Sequence, residues 1–343
     1  MQASAHTNFL PSGAVTGIGS LPLDSAAAAI QAVARFSPDI PFWPQLPRLS
    51  EREKAVGQGL GVLAELIEPR TEGYGYRVKE GRLDAVLGIL HRSNGELTSE
   101  NAAGFSALEH GRESRLFPSA VAVKGQIEGP ITLAAYLFHK DRPFLAEPSL
   151  FAAIAFHVSQ IVNWQIDRLK VFGLPVLMFL DEPALCLEAP AGTTVSEDRR
   201  LSALAVTLDG ARIRGAVAGL HCCAASPFDR MCRVGPDILS FDAHEGLELF
   251  FAHQGSLHFA QRGGIVAYGM IPTARQLDDV DPVAIFTRWL TAASIAGDPQ
   301  ELAQRAMITA TCGLGLLDPT SVPESFRAAR AVGKFVRGLA NGG

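Results

Sequence analysis

The chain has 343 residues, a formal net charge of −5, a pI near 6.0 and 48% hydrophobic residues, so it has the means to bury a large core and few solvated tails. No cluster of Lys and Arg of the kind that tracks a phosphate backbone is present, which argues against nucleic acid as a partner. The most apolar stretches, 150–156 and 174–180, are too short to cross about 30 Å of hydrocarbon, and residues 1–13 lack the basic-then-apolar order of a signal peptide. No membrane role and a cytoplasmic location are therefore expected, and the five cysteines, odd in number and all beyond position 185, point to metal or thiol chemistry rather than a disulfide framework.

Eight apolar runs of strand length occur along the chain, at 15–20, 40–45, 120–127, 176–181, 216–223, 238–242, 264–270 and 306–312. They are continuous rather than alternating, as suits parallel strands buried on both faces. Between most of them lie stretches of helical period. After the second run, Ser50 reads as an N-cap with Glu53 closing a capping box. Residues 71–104, rich in Gly and charge, read as an excursion between the second and third strands. The clearest helix spans 148–172, with Phe151, Ile154, Ala155, Val158, Ile161, Val162 and Leu169 recurring at three- and four-residue steps. Pro323 and Glu324 open a final helix to Leu339. Eight strand-then-helix units in one chain, 1–343, predict a single-domain α/β fold of the (β/α)8 TIM barrel type. A doubly wound open sheet is the runner-up, but the Gly17-Ile18-Gly19 turn only partly imitates its phosphate-binding loop.

Catalytic groups of such a barrel sit at the C-terminal strand ends. Here those ends carry Gly19 and Ser20, Gln45, Gln126 and Glu128, Asp181 and Glu182, His221 and Cys223, Asp242, and Cys312. On a strand His221 and Cys223 face the same way and Cys222 faces the other. A buried cysteine pair with a hydrogen-bonded core histidine explains them as packing. Alternatively two thiolates, one imidazole and the Asp242 carboxylate close around Zn2+, a soft ligand set that excludes Mg2+ and Ca2+. His244 and Glu245 are alternative ligands beside Asp242, and Cys186 and Cys232 read as inert thiols. Asp181 and Glu182, costly if buried unpaired, are either a cap or ion pair or the groups that bind a substrate ammonium. Glu51 is either a solvated capping carboxylate or a second ligand group.

Five motifs in this order, Thr16-Gly17-Ile18-Gly19-Ser20-Leu21-Pro22, Gln126-Ile127-Glu128-Gly129-Pro130-Ile131-Thr132, Asp181-Glu182-Pro183-Ala184-Leu185, His221-Cys222-Cys223 and Cys312-Gly313-Leu314, give the chain a family likeness. From about position 15 to 335 it resembles the catalytic C-terminal half of cobalamin-independent methionine synthase. That half shares a barrel superfamily with uroporphyrinogen decarboxylase and zinc thiol methyltransferases. The resemblance implies a zinc-dependent transfer of a methyl group to a thiol, homocysteine by preference. It implies zinc on His221, Cys223, Cys312 and, at the place of the family's Glu, Asp242. It implies that Ile18, Gly19 and Ser20 hold the substrate carboxylate, that Glu51 and Asp181 hold its ammonium, and that Asp181 and Glu182 are catalytic. The chain departs from the pattern in having no His near Gly269 and Met270, and no room for a second barrel. A methylated corrinoid protein is then the expected donor in place of folate. The alternatives are a zinc thiol alkyltransferase with another acceptor, and a non-catalytic zinc-binding barrel.

Overall fold

The computed structural model describes residues 9–189, 192–223, 227–273 and 280–342. Eleven strands are formed among these residues. In chain order they are β1 (Ala14–Val15), β2 (Ile67–Pro69), β3 (Tyr76–Val78), β4 (Val123–Glu128), β5 (Leu137–His139), β6 (Arg142–Pro143), β7 (Val176–Asp181), β8 (Val217–Cys222), β9 (Ile238–Asp242), β10 (Ile265–Ile271) and β11 (Ala306–Ala310). Seven of them make one curled parallel sheet in the order β1-β11-β10-β9-β8-β7-β4. Except at β1, neighbours follow chain order, as successive strand-helix units require. Every residue of β4, β7, β8 and β10 is buried, the reason these runs are largely apolar, with polar residues at the C-terminal ends of β7 and β8 and along one face of β4.

The second expected strand, 40–45, is not formed as a ladder. It makes single parallel bridges, Phe42 to Lys124 and Gln45 to Ser20, and so touches both edge strands' neighbourhoods. Lys124 N donates to Pro41 O (2.9 Å) and Gln45 N to Gly19 O (3.1 Å). The reason is in the sequence: Pro41 and Pro44 have no N–H to give to a ladder. The first run is shortened as well, to Ala14–Val15. Beyond it the chain runs so close to 42–45 that a Cβ on Gly17 would lie 2.3 Å from the Phe42 ring, and one on Gly19 2.5 Å from Gln45 Oε1.

Helices cover the sheet. Pro148–Leu169, with proline in its first turn, buries Phe151, Ile154, Val158, Ile161, Val162 and Leu169 and continues as a 3-10 turn over Lys170–Phe172. The last helix, Ser321–Ala340, lies on β1 and β11 through Val322, Phe326, Ala329, Val332 and Val336. The excursion after the second run carries β2 and β3, which join β5 and β6 in a small sheet, followed by helix Leu83–His91. The expected capping box is not made: Ser50 accepts no cap bond, and Glu53 instead accepts from Gln58 Nε2 (2.9 Å) and Ala103 N (2.6 Å). No helix among the described residues is long and apolar enough to cross a membrane.

Candidate metal centre

The registers of β4, β7, β8 and β9 set Glu128 opposite Asp181, Asp181 opposite His221, and His221 opposite Ser240. In-register residues of parallel strands share a face, so these four side chains form one row at the C-terminal end of the sheet. His221 is 3% exposed, and a 2.9 Å hydrogen bond joins its Nδ1 to Ser240 Oγ. Its Nε2 is buried and has no partner among the described residues. One ligand atom each from His221, Cys223 and Cys312 lie within 4.8 Å of one another. Cys222 points the other way into the apolar core. The neighbouring Cys223 thiol draws the Cys312 pKa down to about 4 and is itself pushed up by the pairing and by burial. A thiolate, a second thiol and a ring nitrogen with no hydrogen-bond partner are a donor set for a soft divalent cation, and Zn2+ fits it.

Asp242 ends β9 at the same rim, but its carboxylate caps the next helix, Ala243–Ala252, accepting from Glu245 N (3.1 Å). Its side chain, one methylene shorter than Glu, reaches the amide of its own helix. It lies outside the three-ligand cluster. His244 is half-buried and 3.7 Å from Glu245, and neither joins that cluster.

The adjacent carboxylates Asp181 and Glu182 have separate surroundings. Glu182 is fully buried and turned to the start of helix Pro130–Tyr136, accepting from Ile131 N (2.9 Å), Thr132 N (2.8 Å) and Thr132 Oγ1 (2.6 Å). Gly129 makes room for it, since a Cβ there would lie 2.2 Å from Glu182 Oε1. Burial raises Glu182 to about 7 against these bonds. The catalytic role expected for Glu182 therefore gives way to an anchoring one, because both oxygens are spent on the helix start. Asp181 faces the row; its Oδ1 is buried without a partner, and burial raises it to about 6 while His221 and Lys124 oppose the rise.

The remaining predicted residues are spread out. Ser20 packs on the turn after Cys312, accepting from Gly315 N (3.2 Å), and thus reaches the edge of the cluster. Ile18 gives its carbonyl to Lys124 Nζ (2.5 Å), and Gly19 lies against Gln45 and Gln126. Glu51 is exposed in the turn Glu51–Glu53, paired with Lys54 (2.6 Å), and no bond ties it to the row. Near Gly269 and Met270, where no His stands, the backbone is closely packed: a Cβ on Gly269 would lie 2.6 Å from Phe241 O and 2.9 Å from Thr311 Cα.

Three residues of the site had no assigned role in the sequence. Lys124 is buried, with Nζ also donating to Gln126 Oε1 (3.0 Å) and lying 4.8 Å from the centre of the Phe179 ring; burial lowers it to about 8, opposed by Asp181. Glu128 is 7% exposed, with Oε2 unpartnered, and burial followed by Asp181 pushes it well above the carboxylate range. Ser240 orients His221. The signal was available: Lys124, Gln126 and Glu128 alternate along a strand otherwise apolar, so all three point to one face.

No protein family matches the chain's sequence, and no curated protein does. Solved structures do. A parallel-sheet α/β fold with a row of metal-ligating and acidic groups at its C-terminal strand ends is the class these observations define. Within that class the chain is similar to a B12-independent methionine synthase from Shewanella sp. W3-18-1, solved with selenomethionine, at 15% identity, covering 94% of this chain and 97% of that one with a TM-score of 0.59. It is also similar to a methyltransferase from Methanosarcina mazei, at 16% identity, 94% of each chain and a TM-score of 0.53. What is shared with both is the fold.

Proposed function

We propose that this protein is a zinc-dependent methyltransferase acting on a thiol, with homocysteine as acceptor and methionine as product. The observation that carries the reading is the cluster of buried His221 with Cys223 and Cys312, one ligand atom of each within 4.8 Å of the others, with His221 Nε2 left without a hydrogen bond among the described residues. The two structural neighbours, a methionine synthase and a methyltransferase, agree with it. In this reading the segment 40–45 stands as the eighth stave between β1 and β4, completing a (β/α)8 barrel. His221, Cys223 and Cys312 hold the zinc, and Asp242, at the same rim, is the fourth ligand once it leaves its helix cap.

Zinc bound there would lower the pKa of an acceptor thiol so that it is presented as a nucleophilic thiolate at neutral pH. The chain's own residues do the rest. Ser240 fixes the His221 ring so that Nε2 faces the cysteines. Lys124 pins the Ile18 carbonyl and with it the turn to Ser20, which receives the acceptor's carboxylate. Asp181 orients the ammonium through its free Oδ1. The donor proposed is a methylated corrinoid protein, since the chain has no His near Gly269 and Met270, where the family places a catalytic one.

The test is metal analysis of the reduced protein with X-ray absorption at the zinc edge. About one zinc per chain that gains a sulfur neighbour on adding homocysteine is expected; zinc whose shell ignores every thiol offered would overturn the reading. A second reading, an acceptor thiol without an ammonium group, draws on the surface position of Glu51, bound to Lys54. Under it, Asp181→Asn leaves acceptor affinity unchanged.

A further inference from the structure

We infer that Glu128, together with Asp181, forms a cation-binding arm beside the thiol cluster and restricts the acceptor to thiols that carry a primary ammonium group. This rests on the thiol methyltransferase reading and assigns the part expected of Glu51 to a residue on another strand.

Glu128 and Asp181 are opposite one another in register, on adjacent strands, and each keeps one buried carboxylate oxygen with no partner among the described residues. Two such oxygens side by side are not a packing solution, because a buried acceptor left unpaired costs more than its bond would return. The charged groups that act on Glu128 are Asp181, Glu182 and Cys312, all acidic. The basic side chains that act on the pair, both through Asp181, are His221 and, after it, Lys124. Its ammonium already gives protons to Ile18 O and Gln126 Oε1. With no cation beside it the buried Glu128 keeps its proton, and a ligand cation between it and Asp181 would favour the ionised form.

The ligand's other end is also defined. Tyr74 and Tyr136 meet edge to face at 5.0 Å, and Glu128 acts electrostatically on both hydroxyls. Tyr136 is acted on by Cys223 as well, so the ring lies in the neighbourhood of both the carboxylate and the thiol cluster. Glu51 also acts on Tyr74, but it is exposed and its carboxylate is paired with Lys54.

Binding to the zinc-loaded protein, measured by calorimetry, tests this with three ligands: homocysteine, its deamino analogue 4-sulfanylbutanoate, and norleucine, which keeps the ammonium and lacks the thiol. The parent should prefer homocysteine to 4-sulfanylbutanoate by about tenfold or more. Glu128→Gln should erase that preference while keeping zinc content and 4-sulfanylbutanoate affinity; Glu51→Gln should preserve it. Removing an unpaired buried carboxylate should not lower the unfolding midpoint, so loss of fold is not the expected outcome, and Glu128→Ala repeats the measurement. A preference that survives both Glu128 substitutions, or that disappears with Glu51→Gln, overturns the inference. Thiols that bind the zinc with no preference for the amino form overturn it too and leave the methyltransferase reading standing. If thiols leave the zinc shell unchanged while norleucine binds the parent and not Glu128→Gln, the arm stands and the methyltransferase reading falls.

Discussion

Two buried polar regions of this protein have opposite accounts. Around the Trp43 side chain every bond closes: Trp43 Nε1 donates to Gln165 Oε1 (2.9 Å), Gln165 Nε2 to Gln126 O (3.1 Å), and Gln126 Nε2 back to Trp43 O (2.8 Å). Beside it Gln45 donates to Gln58, Gln58 to Glu53, and His157 bonds through both nitrogens, to Ser93 Oγ (2.6 Å) and Gly59 O (2.8 Å). On the row from Glu128 to His221, a few ångströms along the same sheet, three buried polar atoms on three adjacent strand ends have no partner among the described residues. A closed network specifies structure, whereas an open one is a cost tolerated for something that binds. The difference separates scaffold from site more sharply than residue type does, since both regions contain Glu and His.

The largest expected effect falls on the open region. Cys312→Ser removes the most acidic of the thiols, and loss of stoichiometric zinc and of methyl transfer should follow while the unfolding midpoint moves little. Metal analysis beside thermal unfolding checks this, and a fully active, zinc-loaded variant would erase the distinction between the regions.

Glu182 belongs with the closed region although its neighbour does not. Glu182→Ala strips acceptors from two amides and a hydroxyl, and about 3 kcal/mol of stability should be lost in urea unfolding. Its zinc content should be kept. A stable variant with impaired transfer would return Glu182 to the site.

His157 tests the closed region by pH. Burial lowers its pKa to about 4 from 6.5. Between those values the unfolded chain binds the proton and the folded chain does not. Stability from this group is therefore full above pH 6.5 and drains as pH falls toward 4, by about 3 kcal/mol. His157→Gln should flatten that part of the profile in unfolding experiments run across the window. An unaltered profile would mean that the ring opens to solvent.

Ser240→Ala should have the smallest effect of the four. It frees His221 Nδ1 without removing a ligand, and zinc affinity should fall about 10- to 100-fold by competition with a chelating dye. An unchanged affinity would show that packing alone orients the ring.

Much of this was legible in the sequence, and the rest has particular causes. The runs at 176–181 and 238–242 are observed with those bounds, because continuous apolar stretches closed by a polar residue have one stable arrangement in a buried parallel sheet. The run at 40–45 looked equally apolar, yet its two prolines forbid the ladder. Strand period alone set His221 and Cys223 on one side and Cys222 on the other, and the cluster agrees. Glu128 was visible as a strand-end acid without a role, because its meaning lies in what fails to pair with it.

The sequence by itself determined the succession of strands and helices, the side on which each strand residue points, and the ligand types at the strand ends. These depend on hydrophobic period and side-chain chemistry, both local. Only the tertiary structure decided which of two adjacent carboxylates faces the site, that Asp242 caps its own helix, that Glu51 stays at the surface, and that Glu128 stands across from Asp181. For Glu182 the outcome turns on whether donors from a distant segment, Ile131 and Thr132, come within about 3 Å, and for Glu128 on the pairing of distant strands; both are settled by packing.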